Sequence, residues 1–286
     1  MAFPSVSVVI ATYNRPDYLR AAIKSVVDQT YVVEQIVVVD DCSSADLKSI
    51  VDEFSESNIL YFRKKENKGV SNSRNIGIQK ATGDWIAFLD DDDLFLANKI
   101  QQNIDDALRV DNCVAVLCSY SILETGAKRK SPVSGRVQDS DLKQGNLFCG
   151  ATGLFAKREC LLNELFDESL PMGEDWDIFV RLQVYGVVYF NSSSLFLYRN
   201  GGHESITSQA RKLTILQMKP RIRSAYKHRE WLGEIYFKRR IAYQILSYIS
   251  VKDHKLAWLK ESIKLAGFTA TFFVLYTKLF SKSMSD

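Results

Sequence analysis

Residues 85–93 read WIAFLDDDD, five apolar residues running straight into four carboxylates. A short apolar run bounded by polar residues predicts a buried strand, here over residues 84–89. Side chains alternate along a strand, so Asp90 and Asp92 are expected on one side. Carboxylates crowded at a sheet edge repel one another and lose hydration unless a cation joins them. A site of oxygen ligands alone favours a hard divalent ion, Mg²⁺ or Mn²⁺. A solvated acidic turn capping the next helix has the same local sequence, so the segment by itself leaves both readings open.

The segments on either side repeat the pattern of strand then helix. Residues 5–11 (SVSVVIA) are a β-branched run and predict a strand. Pro16 then opens a helix with Leu19, Ala22, Ile23, Val26 and Val27 on one apolar face. Residues 35–39 (QIVVV) predict a second strand, after which Ser43 or Ser44 caps a helix carrying Leu47, Ile50, Val51 and Phe54. Strands over 59–62 and 114–119 and helices over 71–81 and 97–108 complete the series. This βαβα order predicts an α/β fold, a mainly parallel sheet flanked by helices. Ligands of such sheets sit beyond the carboxyl ends of the strands. The polar residues at those ends are Thr12, Tyr13 and Asn14, then Asp40 and Asp41, then Asp90 to Asp93.

Residues 120–170 carry weaker periodicity, with a polar, basic loop or hairpin at 125–135. Residues 174–185 read as a helix, with Ile178, Phe179 and Leu182 on one side, and residues 187–198 return to the sheet. From Lys212 onward the pattern is helical, basic and aromatic. A boundary near Gln209 gives a catalytic domain of residues 1–210 and a C-terminal helical extension of 211–286.

Charge divides at the same place. Residues 1–210 hold 21 Lys and Arg against 29 Asp and Glu, while residues 211–286 hold 16 against 5, a balance of +11. A basic tail on an acidic body suits anionic lipid heads or an acidic partner; a plainly packed helical extension is the alternative. No nucleic-acid partner is expected. The five cysteines are odd in number and contain no C-x-x-C pair, which indicates reduced thiols rather than a disulfide framework or zinc site. The N-terminus carries no signal-peptide pattern, and the apolar stretch 265–277 is too short for a membrane span, so the expected place is the cytoplasm, with a peripheral contact on the membrane's cytoplasmic face.

Further groups could carry chemistry. Asp41 can accept hydrogen bonds from a base or ribose, or simply cap a helix. Arg74 can bind phosphate, or lie at the surface. Residues 173–177 (GEDWD) place acids in the first turn of a helix, where the dipole favours them and keeps Asp175 ionised as a possible base. Gly201 and Gly202 before His203 make a loop able to close over a site.

Taken together, residues 11–16 (ATYNRP), 39–43 (VDDCS), 73–77 (SRNIG), 81–84 (ATGD), 88–93 (FLDDDD) and 173–177 resemble glycosyltransferase family 2 over roughly residues 4–207. The resemblance implies the GT-A nucleotide-sugar fold and inversion at the sugar carbon. It also implies a nucleotide-sugar donor, usually a UDP-sugar, with Mn²⁺ or Mg²⁺. By position, the Thr12–Tyr13 segment and Asp41 hold the uracil, and Arg74 lies near the nucleotide. Asp90 and Asp91 face the ribose and donor sugar, Asp92 binds the metal, and Asp175 is the catalytic base. The family's Y-R-x-H…S-x-T pattern resembles Tyr198, Arg199, His203, Ser205 and Thr207 with one extra residue, which makes His203 a metal ligand or phosphate contact. Family members often act on lipid-linked or growing surface polysaccharides, so the implied acceptor is a saccharide or lipid-linked saccharide.

Rival readings fit less well. A nicotinamide dehydrogenase needs G-x-G-x-x-G after the first strand, where this chain has no glycine. A sugar nucleotidyltransferase needs a glycine-rich basic loop there. A nucleotide-sugar-binding scaffold without catalysis would have lost the acidic cluster or the base, and both are present.

Overall fold

The computed structural model describes residues 3–201 and 213–282, the last three of these as backbone only. The expected boundary near Gln209 lies outside the described residues. By internal contacts the chain forms two compact units. One comprises Met1–Leu142, Asn146–Glu168 and Asp175–Asn200, the other Lys143–Gly145, Ser169–Glu174 and Gly201–Asp286.

The first unit is built on one sheet. Its opening strands are β1 (Val6–Thr12), β2 (Gln35–Asp40), β3 (Ile59–Arg63) and β4 (Trp85–Asp90). They are parallel, in the spatial order β3-β2-β1-β4. Every residue of β2 is buried, as a strand covered on both faces requires. Helices α1 (Pro16–Val27), α2 (Leu47–Asp52) and α3 (Val70–Lys80) make the crossovers. In α1, Leu19, Ala22, Ile23 and Val26 are buried, but Val27 is exposed. At 100° per residue Val27 falls at the rim of the apolar stripe rather than in it.

The cap of α2 also differs from expectation. Asp46, not Ser43 or Ser44, accepts from the Ser49 N–H. The serines are taken up by a tight turn: the Ser43 N–H donates to Asp40, and the Ser44 and Ala45 N–H groups donate to the Asn14 side chain. Asn14 itself has φ 55°, a left-handed conformation that asparagine tolerates.

The other half of the sheet is mixed. Beyond β4 come β5 (Leu94–Phe95), α4 (Lys99–Arg109), β6 (Cys113–Ile122), β7 (Gly135–Arg136), α5 (Asp139–Gln144), β8 (Leu154–Lys157), α6 (Arg158–Asn163), α7 (Glu174–Leu182) and β9 (Val187–Tyr198). The order continues β4-β8-β6-β9-β5, with β8 antiparallel to both neighbours and β7 paired to β9. β8 is four residues long, too short for a period to be legible.

Register sets the site. Thr12 pairs with Asp40 and Ala11 with Asp90, so three strands end together at one edge. Gly83 allows the turn before β4 to press on β1: a Cβ there would lie 2.6 Å from the Ser7 nitrogen.

The second unit is helical: α8 (Ile215–Met218), α9 (Arg223–Lys227), α10 (Arg229–Ile245), α11 (Lys255–Ala266) and α12 (Phe268–Lys282). Leu232, Phe237, Ile241, Ile245, Trp258 and Val274 are among its buried apolar residues. Ser262 and Thr271 share a 2.9 Å hydrogen bond between α11 and α12. Among the described residues no helix is long and apolar enough to cross a membrane. The five cysteines are free thiols, four of them buried.

Candidate active site

The four carboxylates after β4 have four different environments. Asp91 and Asp93 are buried, while Asp90 and Asp92 are more open; only Asp90 belongs to β4, and the Asp93 N–H donates back to the Asp90 carbonyl at 3.0 Å, so the other three lie in the turn that leaves the strand. Asp90 accepts from Arg74 Nη2 at 2.6 Å, and Arg74 is buried with its guanidinium 5.3 Å from the centre of the Phe166 ring. Asp91 accepts from the Thr12 hydroxyl at 2.8 Å and from Arg15 Nη1 at 2.9 Å. Arg15 Nη1 also donates to Asp92, at 3.1 Å. Asp93 accepts from the Thr152 hydroxyl at 2.7 Å and from the Arg199 N–H at 3.1 Å. The Thr152 hydroxyl in turn accepts from the Asp90 N–H.

Negative charge is in excess here. Burial pushes the Asp91 carboxyl up to about 6, with Asp92 adding to the rise and Arg15 opposing it. Burial, then the charges of Asp90 and Asp92, push Asp93 well above the usual carboxylate range. A hard cation would relieve both, and the donor set of carboxylate oxygens suits one. Asp92 is the more open of the two carboxylates that share Arg15. Among the described residues no three carboxylate, thiol or imidazole groups converge as a ready-made metal cage. His203, Ser205 and Thr207 lie outside the described residues.

The residues expected to hold the base sit at the same edge in different roles. The Thr12 side chain is buried and spent on Asp91, whereas the Tyr13 ring is exposed. Asp41 is buried. Its oxygens accept from the Lys68 and Gly69 N–H groups at 2.9 and 2.8 Å, and Lys64 pairs with it at 2.6 Å. Asp41 therefore ties the end of β2 to the loop that opens α3. A carboxylate has about four acceptor positions, so these bonds leave capacity for another donor.

Asp175 stands in the first turn of α7. It accepts from Asn146 Nδ2 at 3.1 Å and from the Trp176 N–H at 2.7 Å. Asp177, two residues on, is fully buried and paired with Arg181 at 2.8 Å, a structural contact. The segment from Asn146 to Thr152 touches both places: Asn146 holds Asp175, and Thr152 holds Asp93 and Asp90. One short stretch of chain thus links the acidic edge to the carboxylate of α7.

Arg15, Asn146 and Thr152 carry no expectation from sequence. Arg15 had a partial signal, a cation between the strand end and the helix-opening Pro16. Asn146 and Thr152 had none, because residues 146–152 contain no periodic pattern.

A parallel half-sheet whose carboxyl edge holds acidic residues after the fourth strand defines the GT-A class of nucleotide-sugar transferase folds. Solved structures of that class superpose along nearly all of the chain. Staphylococcus aureus TarS residues 1–349, in complex with UDP-GlcNAc, matches with TM-score 0.64 and 14% identity, covering 97% of this chain and 92% of that one. The mannosyltransferase PcManGT from Pyrobaculum calidifontis, in complex with GDP-Man and Mn²⁺, matches with TM-score 0.62 and 16% identity over 97% of this chain and 80% of that one. The glycosyl transferase family 2 model matches residues 7–166, and the chain belongs to that family of glycosyltransferases. An uncharacterized glycosyltransferase of Rickettsia typhi is 29% identical over 95% of this chain and 89% of its own length. The putative colanic acid biosynthesis glycosyl transferase WcaA of Escherichia coli is 29% identical over 89% and 91%.

Proposed function

We propose that this enzyme is an inverting, metal-dependent glycosyltransferase. It moves a sugar from a UDP-sugar onto a hydroxyl of a saccharide or lipid-linked saccharide, in surface polysaccharide or glycolipid synthesis. The observation that carries this reading is the Asn146–Thr152 segment, which joins the acidic edge to Asp175. The named activity of the E. coli relative supports the pathway class, and the UDP-GlcNAc, GDP-Man and Mn²⁺ bound by the solved neighbours support donor and metal.

In this reading the Thr12–Tyr13 segment and Asp41 receive the uracil, with the exposed Tyr13 ring as the stacking surface. Arg74 lies near the nucleotide and fixes Asp90 at the ribose. Thr12 and Arg15 hold Asp91 toward ribose and sugar. Asp92 binds Mn²⁺ or Mg²⁺, with His203 as a further ligand. The metal, when bound, neutralises charge on the leaving diphosphate as a Lewis acid. Asp175 takes the proton from the acceptor hydroxyl as that oxygen attacks the anomeric carbon, and the C–O bond to the diphosphate breaks. Asn146 keeps the receiving carboxylate oriented. No covalent intermediate on the enzyme is required. The work is done in the cytoplasm, with residues 211–286 as the peripheral contact on the membrane.

The test is acceptor-independent hydrolysis of UDP-sugars, with Mn²⁺ and with excess chelator. Asp92→Ala should abolish both turnover and metal-dependent nucleotide binding. Full wild-type activity in chelator would overturn the metal assignment, and total absence of hydrolysis across a donor panel would favour a scaffold.

A further inference from the structure

Two pieces of chain that lead into the candidate active site belong to the helical unit. Ser169–Glu174 runs directly into Asp175, and Lys143–Gly145 runs directly into Asn146. Asn146 and Asp175 are themselves joined by a hydrogen bond of 3.1 Å. Whatever fixes the two pieces within the helical unit therefore acts, through one or two peptide bonds, on both partners of that bond. Peptide units are planar and of fixed length, so a shift of Gly173 passes along the chain to Asp175 with little loss.

The longer piece is held at three points. Arg223 Nη1 donates to the Ser169 carbonyl at 3.3 Å, and Arg221 Nη1 meets the Met172 sulfur at 3.9 Å. Gly173 packs on Ser224: its φ is 82°, and a Cβ there would lie 3.0 Å from the Ser224 Oγ and 3.4 Å from the Ser224 Cβ. Glycine is required twice, by the left-handed backbone and by the closeness of the hydroxyl. Ser224 is fully buried, and its Oγ accepts from Gln244 Nε2 at 3.3 Å, which ties it to α10. The shorter piece rests on the same helix. Lys143 Nζ lies 5.1 Å from the centre of the Trp231 ring, and a Cβ at Gly145 would meet Arg240 Nη1 at 3.9 Å. Helix α10 thus anchors both pieces, one of them through Ser224.

We propose that Ser224 is a positioning residue for Asp175. It seats Gly173, and Gly173 sets the start of α7, whose first turn carries the carboxylate. The inference rests on Asp175 as the base of the reaction proposed above. It gives the C-terminal helices a part in the chemistry that is separate from any contact with a membrane. A displacement of about an ångström is enough to spoil the alignment of a base with the hydroxyl it serves, and such misplacement costs up to about 100-fold in rate. Donor affinity should not follow, because the nucleotide contacts assigned above come from the ends of β1, β2 and β4.

The experiment uses the full chain and measures turnover of UDP-GlcNAc, or of the UDP-sugar that wild type prefers, with Mn²⁺. Calorimetry of UDP with Mn²⁺ reads nucleotide affinity, and thermal melting reads the fold. Ser224→Val sets methyl groups against Gly173 and should lower kcat by about 10–100-fold, with UDP affinity within about twofold of wild type. Ser224→Ala, which only removes the hydroxyl, should cost less than about tenfold. The deciding readout is coupling. On an Asp175→Asn background Ser224→Val should change the rate by less than about twofold, because the group it misplaces has lost its function. A merely structural residue would slow both backgrounds alike. Should Ser224→Val fail to melt cooperatively, Arg223→Gln takes its place, with a loss of about three- to tenfold that again vanishes on Asp175→Asn. Wild-type turnover by the folded variant, or an equal loss on both backgrounds, would overturn the positioning role and leave Asp175 as the base. Wild-type turnover by Asp175→Asn alone would overturn the base and this role with it.

Discussion

Arg15 donates from a single nitrogen, Nη1, to Asp92 at 3.1 Å and to Asp91 at 2.9 Å. A protein cation therefore occupies the carboxylate pair at which the proposed mechanism places a metal. Arg15→Gln should tighten Mn²⁺ binding in the absence of nucleotide by about tenfold. That is a modest share of the roughly 4 kcal/mol that two unit charges exert at 4 Å near a surface, the rest being lost to hydration and salt. An electron paramagnetic resonance titration of free Mn²⁺ reads it directly. Unchanged or weaker binding would mean that the guanidinium does not compete with the ion.

The raised carboxyl of Asp91 predicts a specific pH dependence. Its folded value of about 6 lies above the ordinary 3.8, so the native state holds the proton more tightly than the unfolded chain. The stability from this group is complete below about pH 4 and is lost as pH rises through about 6. Two pK units correspond to roughly 3 kcal/mol. Asp91→Asn does not titrate, so the stability of wild type relative to this variant should fall by up to that amount between pH 4 and 7. Urea melts of both proteins across that range measure it. A constant difference would show that Asp91 is ionised throughout.

Asp175 and its neighbours separate by chemistry. Asp175→Asn keeps the size of the side chain but cannot take a proton, and should slow transfer by about 10²–10⁴-fold with donor affinity nearly unchanged. Glu174→Gln should be milder, losing mainly a helix-dipole contribution of about 0.3–1 kcal/mol. Acceptor-dependent transfer and UDP-sugar titration are the paired measurements. Near wild-type transfer by Asp175→Asn beside a dead Glu174→Gln would move the base to the neighbour.

The helical unit should bind anionic membranes. Residues 211–286 carry a balance of +11, which joins exposed Phe268, Phe272, Phe273 and Tyr276 along α12, an apolar surface on a basic helix. Flotation with anionic vesicles should succeed at low salt, weaken with salt and weaken further on Phe268→Ser with Phe272→Ser. Equal failure on neutral and anionic vesicles at low salt would leave only packing as the purpose of these helices.

Much of the first unit is legible in the sequence because its signals are local. A β-branched run makes β1 and β2 wherever it lies, and Pro16 opens α1 by its own geometry. The acids after β4 announce an edge site because four carboxylates in a row demand an explanation by charge alone. The short β8 is not legible, since four residues show no period and its place between β4 and β6 depends on partners at both sides.

The sequence by itself determined the parallel half-sheet, the family and the location of the acidic edge, all of which follow from periodicity, composition and the order of motifs. Only the tertiary structure decided what each carboxylate does. Asp90 to Asp93 are four identical residues in sequence, yet Arg74, Thr12, Arg15 and Thr152 divide them by contacts 16 to 79 positions away. Burial and the field of distant neighbours set a carboxyl's charge and reach, and neither is a property of the segment that carries it.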